Sequence, residues 1–145
     1  MFAIFDDEPP EHLVAVSYVV LCCPNFGDPQ VALVRRDGGW RVPGVPVSVG
    51  RSAAGAAAAL VAAMTGVACR STPEGAGWLE VSPPLAVLAG EAVTANGVRA
   101  VMLGFGLAVP ELLPLAESRA RWVSLRELTT HPETLEVVAE IVRSL

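Results

Sequence analysis

Lysine is missing from this chain. All ten basic residues are arginine, so Schiff-base formation and lysine nucleophiles are excluded. A GC-rich bacterial genome is the plain cause of such a bias. Charge of either sign is scarce: 17% of residues are charged, against about 25% in average chains. The net charge of −5 leaves no basic patch to follow phosphates, so a nucleic-acid partner is not expected. Histidine occurs twice, as His12 and His131, far apart in sequence. The three cysteines, Cys22, Cys23 and Cys69, have no metal-binding spacing. Their odd count fits a reducing compartment and a role as small core residues. On a strand, adjacent Cys22 and Cys23 would point to opposite faces.

Long apolar runs are also missing. No stretch reaches the ~18 consecutive apolar residues of a membrane span. "HLVAVSYVVLCC" is too short and is followed by the turn-like "PNFGDPQ". The "DDEPPE" ahead of it is acidic, unlike the basic front of a secretory signal. A cytoplasmic protein with no membrane partner is expected. What is abundant is apolar residue, at 52% of 145 positions. That length suits one domain able to bury about two-thirds of its unfolded surface. The surplus predicts apolar surface reserved for a partner or a greasy ligand.

Residues 1–11 read as an acidic, irregular lead-in, and 12–145 as a single domain. Residues 12–23 predict a buried strand, rich in β-branched side chains. "QVALVRR" predicts a second strand, "DGG" at 37–39 a hairpin, and "WRVPG" a short strand that stops at Pro43. "VACRS", "WLEV" and "LAVLAGEAVTA" read as further strands, the last two separated by Pro83 and Pro84. Asn96-Gly97 signals a hairpin, with "VRAVMLGFGLAV" as the returning strand. "PELLPLAES" reads as a loop and "RARWVSL" as a last strand. Leu135, Val138, Ile141 and Leu145 have helical spacing, which predicts an amphipathic C-terminal helix. These elements make an α+β chain, with a sheet layered against helices.

The stretch "VPGVPVSVGRSAAGAAAALVAAMTGV", residues 42–67, carries the main question. Ser52 is placed to cap a helix, alanine fills its interior, and Gly66 sits where a terminating glycine belongs. At about 100° per residue, Ala53, Ala56, Ala57, Leu60, Ala63 and Met64 fall on one stripe. Val61, Ala54 and Ala58 fall toward the other side. A helix apolar nearly all round needs cover on both faces. A second subunit, a hydrophobic ligand or a neighbouring loop of the same chain would supply it.

This frame resembles the Nudix family over nearly the whole chain. "VALVRRDGGWRVPG" is similar to its strand, turn, tryptophan and Pro-Gly entry, and "ESRARWVSLREL" to its closing segment. With Gly66 and Val67 as the final pair of the family signature, its first glycine falls on Val45 and its first glutamate on Arg51. Its Arg-Glu pair falls on Ala59 and Leu60, its aliphatic on Val61, and its final Glu-Glu pair on Ala63 and Met64. Framework positions survive at Pro43, Gly44, Val61, Gly66 and Val67, while every charged position is lost. The resemblance implies a Nudix-like α/β/α sandwich, a mixed sheet with the signature helix and a C-terminal helix. The family's helix presents several carboxylates on one face and holds hard cations such as Mg²⁺ through them. Alanine, leucine and methionine offer no such ligand, and Arg51 would repel a cation. Metal-dependent pyrophosphohydrolysis is therefore not expected, nor is a metal or other cofactor.

The expectation is a non-hydrolytic binding or regulatory protein with an apolar former active site. Its ligand would be small and apolar, or nucleotide-like, and it would form a homodimer. The alternatives are a metal-independent enzyme acting on an apolar metabolite and a residual Nudix-type diphosphate hydrolase. Glu117, Glu91 and Glu80 are the candidate catalytic carboxylates. Glu117 follows from the resemblance, since an acidic residue in the closing segment reaches the cleft in that family. A carboxylate in a greasy pocket has a raised pKa and serves as acid or base. Arg51, Leu60, Met64, Arg41 and Tyr18 are the candidate ligand-binding residues. Arg51 would sit near free amides at the helix start, suited to an anion. Each arginine also has a plain reading as solvated surface, and Tyr18 as core. His131 suits a cap on the last helix, His12 is weakly a base, and Trp40 and Trp122 suit the fold.

Overall fold

Alternation along the strands divides the molecule into two apolar layers, one on each face of a mixed sheet. The computed structural model describes residues 2–4, 15–24, 27–48, 50–67, 69–70, 79–80, 86–93 and 99–145. The side chains of 2–4, 70, 79–80, 86–93 and 99–100 lie outside that description.

The strands are β1 (Phe2–Ile4), β2 (Ala15–Cys23), β3 (Gln30–Arg36), β4 (Gly39–Pro46), β5 (Cys69–Arg70), β6 (Leu79–Glu80), β7 (Ala86–Val93), β8 (Arg99–Ala108) and β9 (Ala120–Ser124). The helices are α1 (Ala53–Thr65) and α2 (Pro132–Ser144), the latter preceded by a 3-10 helix over Leu125–Thr130. The main sheet runs β1-β4-β3-β2-β8-β7, with β9 joined to β3 and β4 also touching β2. The β2–β8 and β1–β4 pairings are parallel, while β2–β3, β2–β4, β3–β4, β3–β9 and β7–β8 are antiparallel. β5 and β6 form a separate parallel pair. This is the expected α/β/α arrangement.

On β2, Val16, Tyr18, Val20 and Cys22 enter the layer under α2, with Val137, Val138 and Ile141. Val19, Leu21 and Cys23 enter the layer under α1, with Ala57, Leu60, Val61 and Met64. Cys22 and Cys23 thus take opposite faces, as expected. On β8, Met102 belongs to the α2 layer and Phe105 to the α1 layer. Gly104 and Gly106 flank Phe105. A Cβ on Gly104 would run into the Tyr18 phenol, and one on Gly106 would lie 2.9 Å from Ile141 and Leu145 carbons. Missing side chains on this strand therefore let a tyrosine and α2 close on the sheet.

The β3–β4 hairpin turns through Asp37 and Gly38, both at positive φ (53° and 75°), as the "DGG" signal requires. Three expectations need correction. β4 continues through Pro43 to Pro46. It pairs with β3 at Gly39–Arg41 and with β2 at Gly44–Pro46. Pro43 sits where the strand changes partners, so its missing N–H costs no bond to β2 or β3. The lead-in is not irregular throughout, because Phe2–Ile4 pairs with Val42–Gly44. His131 makes no side-chain cap to α2; its carbonyl accepts from Leu135 N–H at 3.0 Å, and Pro132 opens the helix. Asn96-Gly97 and His12 lie outside the described residues. Among the described residues, no helix is long and apolar enough to cross a membrane.

Candidate functional site

α1 is fixed at both ends by local chemistry. Ser52 Oγ accepts from Gly55 N–H at 2.9 Å. Gly66 ends the helix at φ 72°, its N–H donating to Ala62 O at 2.9 Å. Ser17, buried on β2, donates from Oγ to Ala53 O at 2.8 Å and ties the first turn to the sheet. Both caps match the sequence reading.

The helix carries two faces. Ala57, Ala58 and Val61 pack into the layer beneath. Ala56, Ala59, Leu60, Ala63 and Met64 line a cleft of about 160 Å³, closed by Val45 of β4 and by Glu117. Leu60, Ala63 and Met64 are the positions that the sequence resemblance sets against glutamates of the family signature. The expected stripe was close but displaced: Ala57 belongs to the core face, whereas Ala59 lines the cleft. Leu60 and Met64 serve both layers, being 4% and 2% exposed.

The far wall is the segment between β8 and β9, read from sequence only as a loop. Ala116 N–H donates to Met64 O at 2.6 Å, and Trp122 Nε1–H donates to Leu113 O at 2.8 Å. Leu113 and Leu115 pack against the α1 layer. Of the three covers considered for α1, a loop of the same chain thus supplies part. The apolar "LLPL" run was the available signal for it. Ala120 N–H donates to Glu117 O at 3.0 Å, closing a turn that presents Glu117 to the cleft.

Glu117 is half-buried, and its Oε1 accepts from both the backbone N–H and Nε of Arg119, each at 3.2 Å. The Arg119 backbone bond, then its guanidinium, hold the carboxyl below the usual range, outweighing burial, which pulls it up. The raised pKa expected of a carboxylate in a greasy pocket is therefore not found at Glu117.

The other candidates lie elsewhere. Tyr18 needs correction: it lies under α2, on the opposite face of the sheet from the cleft. There, burial and the charge of Glu140 push its phenol up to about 12. Arg51 is exposed just before α1, and Arg41 lies on β4; neither lines the cleft. Glu80 and Glu91 lie on β6 and β7, with their side chains outside the described residues. Among the described residues, no three His, Cys, Asp or Glu side chains gather as a metal site would require.

No family model matches the sequence, and no curated protein matches it either. Solved structures do match. The NUDIX domain of Shewanella oneidensis NrtR, complexed with ADP ribose, superposes with a TM-score of 0.64 at 16% identity, covering 97% of this chain and 93% of that one. The chain has the Nudix fold. The E. coli dihydroneopterin triphosphate pyrophosphohydrolase gives a TM-score of 0.66 at 18% identity, over 90% of this chain and 96% of that one. RenU, a Nudix hydrolase from M. smegmatis, gives 0.61 at 18% identity, over 92% and 88%. Identities this low establish architecture.

Proposed function

We propose that this Nudix-fold chain is a binding protein without metal-dependent diphosphate hydrolysis, and that its former catalytic cleft now receives an apolar group. One observation carries the reading. The helix face that would hold metal is built from Ala56, Ala59, Leu60, Ala63 and Met64, and Leu60 and Met64 are also packed into the core. Hard cations need several oxygen ligands. Among the described lining residues, Glu117 is the one carboxylate, and it is engaged by Arg119. NrtR, whose NUDIX domain is complexed with ADP ribose, offers a precedent for this fold holding a nucleotide-like ligand. The reading includes a homodimer, since small side chains on α1, with Ala63 exposed, permit close approach of a second copy. Sedimentation equilibrium would show that dimer, and a monomer at high concentration would remove it from the account.

The test is hydrolysis of a panel of nucleoside and sugar diphosphates with Mg²⁺, Mn²⁺ or EDTA. No turnover above background is expected in any condition. Turnover that requires divalent metal would overturn the reading in favour of a residual hydrolase. A second reading rests on the placement of Glu117, a carboxylate on the wall of an apolar cleft. In that reading the protein is a metal-independent enzyme with Glu117 as general base. Its lowered pKa suits a base and not an acid. Glu117→Ala would then abolish turnover of an apolar metabolite while leaving the fold intact.

A further inference from the structure

The cleft's shape and its one charge narrow the ligand further; the argument rests on the binding reading above. Its volume of about 160 Å³ compares with the engineered apolar cavity of about 150 Å³ that accepts benzene. A ring or a compact branched chain fills a space of that size. The floor is Leu60 and Met64, the sides are Ala59 and Ala63, and the wall is Glu117. Among the described lining residues there is no cation, and the whole chain carries −5. A phosphate or carboxylate entering here would meet the Glu117 carboxylate on the wall, its charge offset in part by the Arg119 guanidinium behind it. A ligand donor would meet a charged acceptor in a largely apolar surround, where such bonds gain strength.

Glu117 is also held in place before any ligand arrives. Its turn is closed by the Ala120 bond, the segment before it is pinned to Met64 O, and Arg119 fixes Oε1 with two donors. Both Arg119 bonds fall on Oε1 and the Ser118 hydroxyl also bonds the carboxylate, whose roughly four lone-pair sites leave it able to accept from a ligand. A preorganised acceptor loses little freedom on binding. We infer that the cleft is a site for a compact apolar amine, its hydrocarbon seated on Leu60, Met64 and the α1 alanines and its protonated nitrogen donating to Glu117.

The test uses four small probes of similar size: benzylamine, benzyl alcohol, toluene and benzoate. Each is titrated into the intact protein while the Met64 methyl resonance is followed. Benzylamine should bind at least about tenfold more tightly than benzyl alcohol, given the greater strength of charge-assisted bonds. Benzoate should not bind. With Glu117→Gln, toluene, which has no donor, should change least, while benzylamine should come to within about threefold of benzyl alcohol. Ala59→Leu fills the cleft from a half-buried helix position and should remove binding of both. Thermal melts of each variant separate loss of binding from loss of fold. Equal binding of benzylamine and benzyl alcohol, or amine preference surviving Glu117→Gln, overturns the proposal and leaves an apolar cleft standing. Binding of benzoate, or no binding by any probe, also overturns it. None of these results depends on hydrolysis, so failure here is distinct from metal-dependent turnover, which would overturn the binding reading itself.

Discussion

Tyr18 is the only tyrosine in the chain, so its ionisation can be read directly from phenolate absorbance. In the folded protein burial, then the charge of Glu140, push its pKa from the ordinary 10.0 up to about 12. The unfolded chain gives up this proton first as pH rises. Stability is therefore untouched below about pH 10 and declines between about 10 and 12. Native protein should show no phenolate at pH 10, and Tyr18→Phe should flatten the alkaline loss. A midpoint near 10 in protein that remains folded would contradict this. For Glu117 the sign is opposite. Its folded pKa lies below the unfolded 4.5, so its contribution is present above that value and is lost as acid carries the pH down through the folded pKa. Arg119→Ala should move the Glu117 titration upward by NMR, because the guanidinium contribution is lost while the backbone bond remains. At this scale the placement of Glu117 beside α1 was legible from its closing segment, whereas the face taken by Tyr18 was not. Val16 to Cys23 is buried at every position. A strand covered on both sides has no apolar-polar alternation to show which residues look toward which helix.

At the scale of the element, α1 is the best-specified part of the chain. Ser52→Ala should cost about 1 kcal/mol in chemical denaturation, by freeing the Gly55 N–H from its cap. Gly66→Ala should cost about 1 kcal/mol or more, since alanine resists a φ of 72°. Leu60→Ala should cost about 2–5 kcal/mol, as for other buried leucines. Restoring a carboxylate at Met64, 2% exposed, should destabilise by several kcal/mol, about the cost of an unpaired buried charge. The same change at exposed Ala63 should be tolerated. A Met64→Glu variant as stable as the parent would show that this position is not core. Caps were readable because Ser and Gly report local backbone geometry. The continuation of β4 past Pro43 was not, because a proline is tolerated where a strand changes neighbours, and that exchange is a long-range fact. A loop was one of the covers considered for α1, but which loop was not readable for the same reason: the bonds from Ala116 to Met64 and from Trp122 to Leu113 depend on tertiary placement.

At the scale of the whole molecule, the apolar residues described on the mixed sheet fall into two layers, one under each helix. Some of those under α1 also line the cleft. The Pro-Gly entry, the capped α1 and its terminal glycine each serve the backbone and need no metal. In the proposed reading, the signature's charged positions carry side chains that pack or face an apolar space. The most direct test of that exchange is a titration with Mn²⁺, with the Met64 methyl resonance as reporter. A paramagnetic ion seated along α1 would broaden that signal at stoichiometric concentration. The account predicts a sharp Met64 methyl throughout, with no calorimetric heat of Mn²⁺ binding. Selective broadening of that methyl, saturating at one or two ions per chain, would contradict it and restore the cleft to metal chemistry.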